Sequence, residues 1–175
     1  MISALASRTR EAEACALIDG RDTFDPYSAS AAGVELKRLL WVRCGNIDQA
    51  LRATDLVLHA GGFGLVALDL GDIAPELVDY VSPSVWFRFR SAVEHTPTIL
   101  LVLEQDSHAK TSAALILRME RERGHWSKLV DANQGFTRAP QGCLYAGAYL
   151  QAEVVRSRAQ PGPPMVCPMA VSVAS

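Results

Sequence analysis

The chain of 175 residues contains no Gly-x-x-x-x-Gly-Lys-Ser/Thr stretch and no Gly-x-Gly-x-x-Gly stretch. Both motifs gather backbone amides around phosphates, and the first adds a lysine. Without them the sequence offers no cradle for a triphosphate. Gly-x-Ser-x-Gly is missing too, which removes the sharp turn that exposes a serine nucleophile. The four histidines, His59, His95, His108 and His125, include no i, i+4 pair, so a helical two-histidine metal site is excluded. His59 and His95 fall at expected helix C-termini, where a histidine suits the helix dipole. Cys15, Cys44, Cys143 and Cys167 are not at zinc-finger spacing and read as free thiols of a reducing compartment. No apolar run reaches the roughly 18 residues that a membrane span needs. The first residues carry Arg8, Arg10, Glu11 and Glu13 in place of a secretory leader. The expected location is the cytoplasm.

What is present suits a globular domain. Hydrophobic residues make up 49% and charged residues 21%, and the length allows one domain with a real core. The net charge of -2 argues against a generally basic nucleic-acid binder. The charge is uneven: residues 1–80 hold 7 Lys+Arg against 12 Asp+Glu, and residues 81–175 hold 10 against 7. The second half therefore carries a mild positive excess.

Along the chain, short apolar runs alternate with amphipathic stretches. Ile2–Glu11 is expected to be helical. Ala14–Ile18 reads as a buried strand ending at Asp19. Asp25-Pro26 opens a short helix, because Asp caps well and Pro suits the first helical position, and Gly33 closes it. Leu39–Val42 is a strand. Asn46 caps a helix from Ile47 to about Ala60, closed by Gly61-Gly62. Leu65–Leu68 is a further strand ending at Asp69, and Asp72–Val81 reads as a loop or short turn containing Pro75. Ser82-Pro83 starts a helix to about His95, and Thr98–Leu103 is a strand ending at Glu104-Gln105. Ala114–Glu120 reads as a strand at one side of the same sheet, Gly124–Pro140 as loop, and Leu144–Arg158 as one long strand or a hairpin partner. The order predicts an α/β doubly wound sheet.

Three of these strands end in polar groups: Asp19 with Asp22, Asp69 with Asp72, and Glu104-Gln105. In a parallel sheet such ends converge on one edge, where open α/β sheets place ligands. Acids there suit a metal and a glutamine suits a phosphate, although strand ends are also polar simply because loops follow. The helix after Ser82 carries Trp86, Phe87, Arg88 and Arg90. Aromatic and Arg residues together suit a protein interface or single-strand stacking. Phe87 departs from the single apolar face and is expected to be exposed.

The segment Cys15–Asp69 resembles the ATPase core of the RecA family. The matching residues are Ala16-Leu17-Ile18-Asp19, Asp25-Pro26, Ala29, Gly33-Val34-Glu35, Leu39-Leu40, Gln49-Ala50-Leu51, Asp55, Gly61 or Gly62, and Val66-x-x-Asp69. Thr98–Gln105 resembles the strand that ends in that family's sensor glutamine. The resemblance implies a RecA-like, mostly parallel sheet flanked by helices, lacking the N-terminal strand and its phosphate loop. It places Asp69 at the Walker B position and Gln105 at the sensor position, both as vestiges. The family's catalytic glutamate falls on Arg21, and a guanidinium has no acceptor with which to orient a water.

A closer resemblance is to the ImuA/SulA-like accessory proteins of bacterial translesion mutagenesis. It implies a non-catalytic DNA-repair protein of the SOS response. The implied partner is a protein such as a Y-family-like polymerase homologue, with DNA and RecA-like self-association as further candidates and no membrane. No cofactor, no metal and no catalytic residue is expected in this chain. Residues 1–159 are expected to form the truncated core, and the Pro-rich residues 160–175 a disordered tail. The alternative is a fragment of an ATP-dependent, DNA-binding recombinase-like protein whose phosphate loop lies upstream of Met1. ATP and Mg²⁺ enter only there. A third reading is a relic that does not fold stably.

Overall fold

The structure is a computed structural model and describes residues 1–128, 143–159 and 165–172. The chain divides into two compact units, Met1–Ala113 and Ala114–Ser175.

In the first unit, β1 (Cys15–Asp19), β2 (Leu39–Arg43), β3 (Leu65–Asp69) and β4 (Ile99–Leu103) form one sheet in the order β2-β1-β3-β4. Every pairing is parallel. Helices α1 (Ile2–Arg10), α2 (Pro26–Ala31), α3 (Ile47–Ala60), α4 (Pro75–Asp79) and α5 (Pro83–Val93) complete the unit. This is the α/β sheet that the alternation of apolar runs and amphipathic stretches predicts, consistent with a RecA-like core. Continuous apolar strands arise because both faces of a parallel sheet are covered: Cys15 to Ile18 and Leu65 to Leu68 are all buried. One face packs Ala16, Ile18, Val66 and Leu68 with Val57 and Leu58 of α3 and Trp86 and Phe89 of α5. The other packs Cys15 and Leu65 with Leu5, Ala6, Ala29 and Val34.

The helix boundaries follow local chemistry. Asp25 accepts the Tyr27 and Ser28 amides at the start of α2, and Asn46 accepts the Gln49 amide at the start of α3. Gly33 and Gly61 follow α2 and α3 with φ of 94° and 68°, a left-handed conformation that glycine adopts without strain. Within the loop or short turn expected at 72–81, Pro75 begins the one-turn helix α4. Its Val78 is buried, and that anchorage outweighs the turn signal of the proline.

The second unit is an antiparallel sheet of β5 (Leu115–Lys128), β6 (Cys143–Ser157) and β7 (Met165–Ser172) in that order. Four expectations are corrected here. Residues 114–120 do not join the four-stranded parallel sheet; Leu115 begins β5, which pairs with β6. The strand runs on to Lys128, into residues read as loop, while 129–142 lie outside the described residues. The expected single core to residue 159 is instead divided at Ala113/Ala114. Within the expected disordered tail, Met165–Ser172 forms β7 against β6. A proline inside a strand is compatible with the edge of a sheet, and Pro168 sits on β7, which is such an edge.

Cys15 and Cys44 are buried free thiols and Cys167 is a partly exposed one. Among the described residues no helix is long and apolar enough to cross a membrane.

Phe89 and Phe87 separate core from surface on one helix, since Phe89 is fully buried and Phe87 is 54% exposed. Phe89→Ala is expected to cost about 3–5 kcal/mol, and Phe87→Ala no more than about 0.5 kcal/mol. Urea unfolding of the two variants checks this, and equal losses would contradict the packing.

Candidate functional site at the carboxyl edge of the parallel sheet

Parallel pairing brings the ends of β1, β3 and β4 side by side. Asp19 is in register with Asp69, and Asp69 with Leu103. The ladder continues past the strands: the Gly20 amide donates to the Asp69 carbonyl at 3.0 Å, and the Leu70 amide to the Leu103 carbonyl at 2.9 Å. Gly20 is required there, because a Cβ at that position would lie 2.6 Å from the Asp69 carbonyl oxygen.

The two aspartates have opposite surroundings. Asp19 is 2% exposed, and its carboxylate is fully engaged. One oxygen accepts the amides of Arg21 at 3.3 Å and Thr23 at 3.1 Å. The other accepts the Phe24 amide at 2.9 Å and the Trp41 indole N–H at 3.3 Å. Burial alone pushes this carboxyl up, but the amides of Phe24, Thr23 and Arg21 and the indole outweigh it and hold it below the usual carboxylate range. At Asp69, burial pushes the carboxyl up, and the charges of Asp19 and Asp72 add to the effect. The opposing donor is the Gly71 amide, 3.0 Å from Oδ1.

The loop after β1 is fastened on its outer side as well. Asp22 and Arg43 form a bidentate ion pair, and that pair holds the Asp22 carboxyl below its ordinary value. The Arg43 guanidinium lies 5.1 Å from the centre of the Trp41 ring, and Trp41 meets Phe24 edge to face at 5.3 Å. The Thr23 hydroxyl donates to Asp72 at 3.0 Å, tying this loop to the one after β3.

The residues singled out in the sequence fall in two places. Asp69 and Gln105 come together: the Gln105 side-chain amide donates to the Gly71 carbonyl at 2.8 Å and, more weakly, to that of Ile73 at 3.4 Å. Gln105 therefore holds the carbonyl of the same residue whose N–H reaches Asp69. Arg21 is exposed on the neighbouring loop. Trp86, Phe87, Arg88 and Arg90 lie on α5, and none is hydrogen-bonded or ion-paired to Asp69 or Gln105. Trp86 is removed from the interface candidates, because it is 5% exposed and packs in the core, edge to face with Phe89. Arg88 bonds Asp55 of α3 at 2.7 Å. Arg90 lies 5.9 Å from the Phe87 ring and pairs with Glu94 at 3.5 Å.

The sequence reading overlooked Trp41, Phe24 and Arg43. The signal was a tryptophan inside the apolar run Leu39–Val42, since a part-buried indole N–H seeks an acceptor. Among the described residues no group of three His, Cys, Asp or Glu side chains is arranged to hold a metal ion.

No family model matches the chain. Curated relatives match part of it. RecA of Psychrobacter cryohalolentis is 31% identical over 68 residues, which is 39% of this chain and 19% of that protein. RecA of Acinetobacter baumannii is 31% identical over 68 residues, covering 39% and 20%. RecA of Psychrobacter arcticus shows the same identity and covers 39% and 19%. The match thus spans about a fifth of the length of these relatives. With the parallel sheet, it supports a RecA-like relationship.

The two aspartates should respond oppositely to neutralisation. A depressed acid stabilises the fold above its unfolded value, near pH 4, and that stability is lost as pH falls through the native value. A raised acid stabilises only while protonated, and that contribution is lost as pH rises through the native value. Asp19→Asn is therefore expected to destabilise at pH 7, by about 1–3 kcal/mol for a donor left facing a donor, and to flatten the acid limb. Asp69→Asn is expected to stabilise at pH 7. Urea titrations from pH 3 to pH 7 measure both, and a shift of the same sign in both variants would contradict the assignment.

Proposed function

We propose that this chain provides a RecA-like core that does not hydrolyse ATP and acts as an accessory protein in DNA repair, within damage-induced translesion mutagenesis. It works by binding a protein partner, of which a Y-family-like polymerase homologue is the leading candidate, with DNA as a further ligand. The similarity to proteins named RecA supports the repair context, and the resemblance to the ImuA/SulA-like group supports the accessory role.

The loop after β1 is the observation that carries this reading. An attacking water needs an acceptor to orient it, and the resemblance puts that acceptor at position 21, where an arginine stands. The neighbouring carboxylates do not replace it: Asp19 is spent on three amides and an indole, and Asp22 on Arg43. On α5, exposed Phe87 and Arg88, with half-buried Arg90 beside them, offer an apolar and cationic surface for a partner.

A second reading is an ATP-binding recombinase-like protein whose phosphate loop lies outside this chain. It is favoured by Asp69, to which Gly71 alone donates a hydrogen bond among the described residues. ATP and Mg²⁺ belong to this reading.

Turnover assays with ATP and Mg²⁺ separate the two. The accessory reading expects no hydrolysis above background and no change on Asp69→Ala. Hydrolysis that Asp69→Ala abolishes would overturn it. The reading frame upstream of Met1 gives an independent check, since an in-frame Gly-rich loop ending in Lys-Ser/Thr would favour the second reading.

A further inference from the structure

The segment that follows β4 closes on itself. The backbone N–H of His108 donates to Glu104 Oε1 at 2.9 Å, making a small loop with Gln105 inside it. The ring of the same histidine sits between two carboxylates. Its Nδ1 is 3.3 Å from Glu104 Oε2, and its Nε2 is 3.2 Å from Asp79 Oδ1 at the end of α4. The His108 and Glu104 side chains are 10% and 13% exposed, whereas Asp79 is 72% exposed. The ring donates to one of these carboxylates when it carries a single N–H and to both when it carries two, and either bond restricts its orientation. From inside this loop Gln105 donates to the Gly71 carbonyl, and the Gly71 amide donates to Asp69. The contacts form one unbroken series from α4 to the end of β3.

We propose that Glu104–Ala109 is a strap, clasped to α4 by His108, that holds Gln105 on the Gly71 carbonyl and so positions the donor to the Asp69 carboxylate. His108 is a positioning residue: it touches neither Gly71 nor Asp69 and acts through Gln105. Two fastenings at different distances from the edge make this a conformational device. Opening the clasp frees the loop after β3 without breaking a strand pairing. The inference goes beyond the accessory reading and holds whether or not the chain binds a nucleotide.

Amide hydrogen exchange on the full chain, resolved by NMR, tests it. His108→Ala is expected to speed exchange at Gly71 and Ile73 by about tenfold, the scale of one lost hydrogen bond, while the α3 amides stay unchanged. Gln105→Ala should give the same local pattern. Adding His108→Ala to Gln105→Ala should change Gly71 no further, because the histidine acts through the glutamine. Asp79→Asn alters an exposed side chain, so it keeps the fold and should give a smaller rise at the same two amides. Unchanged exchange at Gly71 in both His108→Ala and Asp79→Asn would overturn the strap. Additive effects of His108→Ala and Gln105→Ala, or acceleration spread evenly into α3, would overturn it as well.

Discussion

The carboxylate of Asp19 is the constraint on which the functional edge depends. It is buried at the end of a central strand, where an ionised acid is costly unless its oxygens are satisfied. Four donors satisfy it. Three are loop amides, those of Arg21, Thr23 and Phe24, so the acid dictates the path of the chain from Gly20 to Phe24. The fourth is the indole of Trp41 on the neighbouring strand. Once Asp19 has fixed that path, the rest follows by packing: Phe24 meets the Trp41 ring, Arg43 covers the same ring, and Asp22 is placed to pair with Arg43. A sequence position that reads as a ligand-binding acid is thereby a structural one.

Asp69 lies in register with Asp19 and makes the contrast instructive. Both end apolar strands of one sheet, yet a single amide serves Asp69 and its carboxyl is pushed up. The strands supply position, and the number of donors decides which acid is spent and which is available. That division leaves Asp19 committed to its loop and Asp69 as the less satisfied acid at the carboxyl edge.

The parallel sheet was readable in the sequence because its strands are continuous apolar runs bounded by caps and glycines. Asp25, Asn46, Gly33 and Gly61 mark ends by chemistry that is local to a few residues. What failed was non-local. That Asp19 is satisfied depends on Trp41, more than twenty residues away, and no spacing rule links them. The place of residues 114–120 depends on pairing with β6, which an alternating apolar pattern does not specify. Trp86 and Phe87 are adjacent, and only the packing of α5 on the sheet decides that the first is core and the second surface. In the tail, prolines pointed to disorder, but only Pro168 falls in described structure, on an edge strand that accepts it.

One carboxylate holds the loop after β1, and NMR through an acid titration measures that directly. The amide signals of Thr23 and Phe24 and the indole N–H of Trp41 should stay protected from exchange at neutral pH. On acidification all three should shift together in one step, with a midpoint below the ordinary aspartate value of about 3.9. Separate midpoints for the three signals, or a Trp41 indole that exchanges freely at neutral pH, would contradict it.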